Sequence, residues 1–205
     1  MIDKVVTSGT FSLDGGTWDV ENNVWLVGSA REVIVIDAAH DAGAIADRVG
    51  DRVVKAIVCT HAHNDHINAA ADLAERVDAP IMLHPADQVL WEMVYPGRPY
   101  VSLKDGEVLS AGGVDLTVLH TPGHAPGAVC LYAQGVGAVF AGDTLFKGGP
   151  GATGRSYSSF ETIIESIRER LLTLPGETAV HTGHGDSTVI AEEAGHLEEW
   201  LARGH

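Results

Sequence analysis

The sequence predicts an α/β fold in which two β-sheets pack face to face between helical layers, a four-layer α/β/β/α sandwich. Apolar runs typical of buried strands occur in two blocks, one in each half of the chain, and each block contains segments with helical periodicity. Helices of this kind can cover the outer face of each sheet while the sheets share a core. With 205 residues, 45% of them apolar, we predict a single domain over residues 1–205.

The first block predicts three strands and two helices. Residues 20–27, 33–36 and 53–60 have the apolar, β-branched composition of buried strands. A helix over 41–49, with Asp41 as its N-cap, separates the last two strands. An alanine-rich helix over 67–77 follows the third strand directly.

The second block repeats this arrangement. Strands are predicted over 114–120, 128–132, 138–141 and 179–182. Apolar residues three and four positions apart predict an amphipathic helix over 160–172, and a final helix is predicted over 189–203. Residues 96–99 and 147–159 have loop composition and do not read as domain boundaries.

Charge and composition argue against several kinds of partner. The net charge of −15 disfavours nucleic acids and anionic membranes, which attract Lys and Arg clusters. The first residues lack a basic and apolar leader, and no apolar run reaches the roughly 20 residues that cross a bilayer, so we expect a cytoplasmic protein. Cys59 and Cys130 lie in apolar runs, which favours buried, reduced thiols over a disulfide, although Cys59 precedes the cluster described next and could be sensitive to oxidation.

A cluster of metal-binding side chains follows the strand predicted over 53–60. His61, His63, Asp65 and His66 lie within six positions, where a loop would emerge from the strand. Imidazole nitrogen and carboxylate oxygen suit a borderline divalent ion such as zinc. On an extended backbone, His61 and His63 can point at the same ion, and Asp65 and His66 can serve a second one.

Three later turns each add one side chain of the same type. A strand end runs into a glycine-containing turn at His124, Asp143 and His184. Five histidines and two aspartates are enough for two ions, provided that Asp143 bridges them. A bridged pair about 3.5 Å apart lowers the pKa of a bound water from near 16 towards 7. The remaining histidines are expected to be structural or exposed: His40, His84, His120, His181, His196 and His205.

The ordered pattern His61-x-His63-x-Asp65-His66, His124, Asp143, His184 resembles the metallo-β-lactamase superfamily over essentially the whole chain. The resemblance implies the sandwich fold. It also implies one metal held by His61, His63 and His124, a second held by Asp65, His66 and His184, and Asp143 as the bridge. Zinc is usual in the superfamily, and iron and manganese occur in relatives.

Two segments resemble the glyoxalase II group, which hydrolyses thioesters of glutathione: Gly142-Asp143-Thr144-Leu145-Phe146 and Thr121-Pro122-Gly123-His124. True β-lactamases are less similar, because those with two zincs often carry cysteine at the position of Asp143 and often lack His66. The chain departs from glyoxalase II in lacking the additional helical region that helps to hold glutathione. Its glycine-rich loop over 148–155 is similar to short forms associated with mycothiol.

The segment Gly154-Arg155-Ser156-Tyr157 resembles the Gly-Lys-Phe-Tyr segment with which that group contacts its substrate. The resemblance makes Arg155 and Tyr157 candidates for binding a substrate carboxylate or amide. The alternative is a flexible glycine loop. Asp37, at the end of a predicted strand, is either a partner that orients a ligand histidine or a structural aspartate.

The resemblance implies a hydrolase in which a hydroxide between two metals attacks a small-molecule thioester, with Asp65 and Asp143 as the catalytic carboxylates. One alternative is a persulfide dioxygenase with a single iron held by His61, His124 and Asp143. Gly154-Arg155-Ser156-Tyr157 in place of that enzyme's Cys-Gly-Arg-Thr-Asp turn argues against it. The other alternative is a non-catalytic protein in which ions only tie loops together. The sequence leaves the oligomeric state open.

Overall fold

The first sheet is built mainly from the amino-terminal half of the chain. The computed structural model describes residues 1–204, so the prediction for His205 lies outside the described residues. Strands β1 to β3 pair antiparallel and β3 to β6 pair parallel, in the order β1-β2-β3-β4-β5-β6. The strands are β1 (Ile2–Leu13), β2 (Gly16–Gly28), β3 (Glu32–Ile36), β4 (Val53–Val58), β5 (Ile81–Leu83) and β6 (Val101–Ser102).

The second sheet comes from the remainder of the chain. Its order is β14-β13-β10-β9-β8-β7, and only β10 and β13 are parallel neighbours. A separate two-stranded ribbon consists of β11 and β12. The strands are β7 (Val108–Ala111), β8 (Val114–His120), β9 (Val129–Ala133), β10 (Ala138–Gly142), β11 (Leu145–Phe146), β12 (Gly149–Pro150), β13 (Ala179–Thr182) and β14 (Thr188–Val189).

Helices cover the outer face of each sheet. Asp41 caps the first helix by accepting a hydrogen bond from the Ala44 amide, as predicted. The helix Phe160–Ser166 continues into a π-helical turn, Ile167–Leu171. Together these two segments match the helix predicted over 160–172. The helices are α1 (Ala42–Val49), α2 (Asn64–Ile67), α3 (Ala70–Val77), α4 (Gln88–Val94), α5 (Phe160–Ser166), α6 (Ile190–Ala194) and α7 (Leu197–Arg203).

Three apolar clusters separate the four layers and confirm the predicted sandwich. Trp25, Ile36, Leu116 and Phe140 belong to the cluster between the two sheets. A second cluster joins the first sheet to α1, α3 and α4, and a third joins the second sheet to α5 and α7. No helix among residues 1–204 is long and apolar enough to cross a membrane.

Several elements differ from the sequence-based prediction, which contained no counterpart of helix α4 or of the short strands β5, β6, β7, β11, β12 and β14. Strand β1 was not predicted because only Thr7 in it is buried, so it lacks an apolar run. The helix predicted over 67–77 begins earlier and is split into α2 and α3, since Asn68 and Ala69 separate them. The helix predicted over 189–203 is likewise interrupted at Gly195 and His196, and it starts after the short strand β14.

Both cysteines are free and fully buried, as predicted. Burial raises the pKa of the Cys59 thiol well above its usual range and that of Cys130 to about 11. Because the thiolate is the reactive form, we expect neither cysteine to react with DTNB in the native protein. In denaturant both should react. Rapid labelling of the native protein would contradict this expectation.

Candidate metal centre

The seven predicted ligands meet at one end of the sandwich. His61 and His63 follow β4, while Asp65 and His66 lie in α2. The Val129 amide donates to the Thr60 carbonyl, which brings the end of β4 to the turn between β8 and β9 that carries His124. Since β10 and β13 are parallel neighbours, the residues after them, Asp143 and His184, emerge at the same edge.

The first group of donors consists of three imidazoles. His63 Nδ1 lies 3.0 Å from His61 Nε2 and 3.0 Å from His124 Nε2. Burial lowers the pKa of all three, that of His63 to about 3. The imidazoles are therefore neutral at pH 7, which is the form that binds a metal ion.

The second group consists of Asp65, His66 and His184. The Nε2 atoms of His66 and His184 lie 3.2 Å apart, and each is 3.4 Å from Asp65 Oδ2. Burial disfavours the charged carboxylate, but the neighbouring His66 lowers the pKa of Asp65, which falls to about 2. Burial also lowers the pKa of His184, but Asp143 and Asp65 outweigh it and raise that pKa to about 10.

Asp143 lies between the two groups. Its Oδ2 is 3.6 Å from His124 Nε2 in the first group and 3.4 Å from His184 Nε2 in the second, and its Oδ1 is 3.3 Å from His66 Nε2. Asp143 Oδ1 also lies close to the backbone of Gly183, since a Cβ at Gly183 would lie 2.2 Å from this oxygen. Asp143 therefore has the position of a bridging ligand.

Hydrogen bonding leaves two carboxylate oxygens of this cluster without a partner, and a divalent cation would satisfy them. Asp65 Oδ1 and Asp143 Oδ1 are buried and have no hydrogen-bond partner among the described residues. Unpartnered buried carboxylate oxygens are rare unless an ion or water is bound. Neutral imidazole nitrogens and carboxylate oxygens are also the donors that zinc and iron accept. The residues present therefore fit divalent metal.

A second layer of contacts orients the ligands. Asp37 Oδ2 lies 3.0 Å from His66 Nδ1, which confirms that Asp37 contacts a ligand histidine. His124 Nδ1 is 2.8 Å from the Ala152 carbonyl oxygen, and His184 Nδ1 is 2.7 Å from the Glu21 carbonyl oxygen. Each contact fixes the ring orientation and leaves Nε2 free for a metal ion.

Sequence reasoning missed one buried carboxylate in this region. Asp87 follows β5 and accepts hydrogen bonds from the amides of Ala62, at 2.8 Å, and Gly127. It thereby ties the loop of the first histidines to the loop that carries His124. Burial raises the pKa of Asp87 to about 6. Only the unusual placement of an aspartate after an apolar strand signals this role in the sequence.

A cavity of about 170 Å³ opens onto the donors. Arg155 lines it, and its guanidinium lies 3.9 Å from the centre of the Trp18 ring and 5.3 Å from that of Phe11. Tyr157 is 46% exposed and is not among the residues that line the cavity. The structure therefore brings Arg155 to the site and leaves Tyr157 on the surface.

The histidines predicted to have other roles lie outside the donor groups formed by the described residues. His84 and His120 stack on each other with ring centres 4.0 Å apart, and His181 packs against Trp25. His196 is exposed beside Glu199. His40 contacts Asn22, a neighbour of Asp65.

The two donor groups are expected to release different numbers of protons when they bind metal. Nearby carboxylates outweigh burial and raise the pKa of His66 well above its usual range and that of His184 to about 10. Burial instead lowers the pKa of the three imidazoles of the first group, which are neutral at pH 7. Because the Nε2 atoms of His66 and His184 lie 3.2 Å apart, we expect one additional proton between them in the metal-free chain. Metal must displace this proton, so the metal affinity of the second group falls as the pH falls.

Calorimetry of metal binding in buffers of different ionisation enthalpy measures this release. We expect at least one proton to leave when the metal-free protein is loaded at pH 7. Heats that do not depend on the buffer would contradict the assignment.

Fold and donor set together define a metal-binding α/β/β/α protein whose ligands lie at one end of its two sheets. The sequence profile of the metallo-β-lactamase superfamily matches residues 17–184. The chain belongs to the metallo-β-lactamase superfamily, whose members are generally metal-dependent hydrolases.

The names of similar proteins in the superfamily describe different activities and different metals. The chain is 31% identical to the hydroxyacylglutathione hydrolase GloC of Haemophilus influenzae, over 86% of each chain. It is similar to TTHA1623 in a di-iron-bound form, with a TM-score of 0.77 and 34% identity over 85% of this chain and 93% of that one. It is also similar to the BLEG-1 B3 metallo-β-lactamase, with a TM-score of 0.75 and 28% identity over 93% and 98% of the two chains.

Proposed function

We propose that the protein is a binuclear metal-dependent hydrolase that cleaves a thioester of a low-molecular-weight thiol. The observation that carries this proposal is the pair of donor groups sharing Asp143 on the floor of a cavity. The similarity to a hydroxyacylglutathione hydrolase supports the thioester as substrate. Zinc is the proposed metal, and the di-iron relative makes iron an alternative to be measured.

A divalent pair would lower the pKa of a bound water towards 7 and polarise the carbonyl group of the substrate. The residues of the chain have three tasks in this reaction. Asp143 holds the two donor groups together, and Asp65 presents the unpartnered Oδ1 to the reacting water. The cavity wall places the thioester above them, with Phe11 and Val20 on its apolar side. No side chain is required as nucleophile.

Arg155 is the proposed contact for an anionic part of the substrate. Stacking on Trp18 fixes the guanidinium at the cavity wall, and guanidinium groups bind carboxylates through two parallel hydrogen bonds. We expect Arg155→Ala to raise KM about tenfold with a smaller change in kcat, since one charged hydrogen bond is worth about 1.5 kcal/mol or more. Steady-state kinetics with a glutathione thioester measures both parameters.

Arg168→Ala is the matched control, because Arg168 is exposed and pairs with Glu169 on the outer helical layer. It should leave KM unchanged. Tyr157 remains a predicted substrate contact, and Tyr157→Phe in the same assay tests it. An unchanged KM in Arg155→Ala would remove Arg155 from the site.

The experiment that tests the function combines metal analysis with an activity screen. The protein loaded with zinc or iron is assayed against thioesters of glutathione, mycothiol and coenzyme A. Lactones, phosphoesters and a β-lactam are included in the same screen. We expect the highest kcat/KM for a thioester, and the thiol that gives it identifies the carrier. Preferred hydrolysis of another class would contradict the proposal.

Two outcomes of the same screen would favour the alternative functions, a persulfide dioxygenase or a non-catalytic protein. Oxygen uptake with a thiol persulfide and one iron per chain would establish a dioxygenase. Metal-loaded protein that is inert towards the whole panel would favour a structural role for the ions. Open coordination positions at the two groups argue against a purely structural role. The ligand residues do not distinguish the dioxygenase, and the argument against it is Gly154-Arg155-Ser156-Tyr157 in place of the Cys-Gly-Arg-Thr-Asp turn.

A further inference from the structure

A chain of side-chain contacts runs from His40 to the metal ligand Asp65. His40 Nε2 lies 2.8 Å from Asn22 Oδ1, and Asn22 Nδ2 donates to Asp65 Oδ2 at 3.0 Å. On the other side of the imidazole, Asn68 Nδ2 lies 3.0 Å from His40 Nδ1. The His40 backbone amide donates to Asn68 Oδ1 at 2.6 Å.

Every hydrogen in this chain has only one consistent position. A carboxylate only accepts, so Asn22 must turn its amide nitrogen towards Asp65 and its oxygen towards His40. The amide oxygen only accepts as well, so His40 Nε2 carries the hydrogen. Asn68 uses its oxygen for the His40 amide and donates from nitrogen to Nδ1. The imidazole is thus the neutral Nε2–H tautomer, and burial lowers its pKa in keeping with this form.

His40 has a backbone conformation that is unusual for histidine, and neighbouring residues hold its imidazole in place. His40 has φ +59, a conformation that histidine seldom adopts. Strand β1 closes over the imidazole, because a Cβ at Gly9 would lie 2.1 Å from His40 Nδ1. Non-glycine residues in this conformation persist where the surrounding contacts fix them, and they cluster at functional sites.

The contact from Asn22 distinguishes the two oxygens of Asp65. Oδ2 accepts from Asn22 and faces the Nε2 atoms of His66 and His184, whereas Oδ1 is buried without a hydrogen-bond partner among the described residues. Rotation of the carboxylate would exchange the two oxygens. A fixed Asn22 amide therefore holds one oxygen at the second donor group and leaves the other for water or substrate.

We infer that His40 is a positioning residue that acts through Asn22 to fix the orientation of the Asp65 carboxylate at the metal centre. The inference deepens the proposed function and rests on it. His40 belongs neither to the first donor group nor to the residues that line the cavity. Its effect should therefore fall on the second donor group alone.

Substitution of His40 by Gln or by Asn separates its contact with Asn22 from its contact with Asn68. The amide nitrogen of Gln can take the place of imidazole Nε2, so His40→Gln keeps the donor to Asn22. The amide of Asn corresponds to Nδ1, so His40→Asn keeps the contact to Asn68 and loses the contact to Asn22. Asn also tolerates positive φ well, so backbone strain does not explain a defect in His40→Asn.

The main readout is metal affinity, measured by chelator competition on protein loaded with two equivalents of zinc. In His40→Asn we expect the ion at the second donor group, hereafter the second equivalent, to bind about tenfold more weakly, as is typical when an outer partner of a ligand is lost. The first equivalent should be unchanged, and His40→Gln should resemble the wild type. With a thioester substrate, kcat should fall about tenfold in His40→Asn while KM stays the same.

A double-mutant cycle tests whether the effect passes through Asn22. In an Asn22→Ala background, His40→Asn should have no further effect on the second equivalent. An effect that persists there, a His40→Gln variant as impaired as His40→Asn, or wild-type affinity in both would overturn the inference.

One further variant keeps the test decisive. Asn68→Ala, at an exposed position, removes the acceptor of the His40 backbone amide as well as the contact to Nδ1, so unlike His40→Gln it releases the whole residue and should weaken the second equivalent if His40→Asn fails to fold. Unchanged affinity in Asn68→Ala would then overturn the inference. The chelator assay needs no substrate, so a wild type inert towards thioesters would count against the proposed function alone.

Discussion

Asp143→Ala is expected to abolish tight binding of two metal ions and to lower thioester hydrolysis by about 10³-fold or more. Asp143 is the only ligand residue within 3.6 Å of nitrogens from both donor groups in the described part of the chain. Lewis-acid stabilisation by metal is worth several kcal/mol, and each 1.36 kcal/mol corresponds to a factor of about ten in rate. Mass spectrometry of bound metal and a thioester assay on the same sample measure both losses.

The fold should survive this substitution. The ion pairs of the Asp143 carboxylate are with ligand histidines, so its removal breaks no hydrogen bond that joins strands or helices. Circular dichroism should therefore be unchanged, and His63→Ala should behave in the same way. Asp186→Ala is a matched control, because Asp186 is exposed near the same end of the molecule and should retain metal and activity. Normal metal content in Asp143→Ala would contradict the bridging role.

Asp37→Asn is expected to lower metal affinity of the second donor group, and with it activity, by about 10- to 100-fold. Asp37 Oδ2 accepts from His66 Nδ1 at 3.0 Å, which keeps the hydrogen of that imidazole on Nδ1 and leaves Nε2 free. An Asn amide nitrogen at this position favours the opposite tautomer, with hydrogen on the ligand atom. Chelator competition and kcat measure the effect.

Asp37→Ala separates this tautomer effect from stability. Asp37 also accepts from the Thr60 amide at 2.7 Å and the Thr60 hydroxyl at 2.8 Å. Alanine leaves the buried Thr60 amide without a partner, which costs about 1–3 kcal/mol of unfolding free energy. Asn can still accept from the Thr60 amide, so its melting temperature should fall less. Asp37→Asn with wild-type metal affinity would show that Asp37 is structural only.

The layered fold and the seven ligands could be predicted because each has a strong local signal. Buried strands such as β3 and β4 are continuous apolar runs, and the ligands follow strand ends in a specific order. Strand β1 gave no apolar run, since its side chains are exposed or half-buried apart from Thr7. Its local signal lies in the turn: Asp14 and Gly15, both at positive φ, join β1 to β2 as a two-residue hairpin, and this Asp-Gly pattern was overlooked.

The partners of the ligands were harder to predict because they lie far from the ligands along the chain. Asn22 is 43 positions from Asp65, and Asp87 is 25 positions from the Ala62 amide that it accepts from. Nothing in the sequence near His40 distinguishes it from a surface histidine. The Arg155 side chain was singled out by resemblance, but its stacking on Trp18 requires the hairpin of β1 and β2 to fold over it.

The most direct test of metal-dependent hydrolysis is a titration of metal into the stripped protein, with thioesterase activity recorded at each step. Protein freed of metal by a chelator should be folded and inactive towards a hydroxyacylglutathione. Activity should return as zinc or iron is added and should reach its maximum at two equivalents per chain. Full activity in the metal-free protein would contradict the central claim.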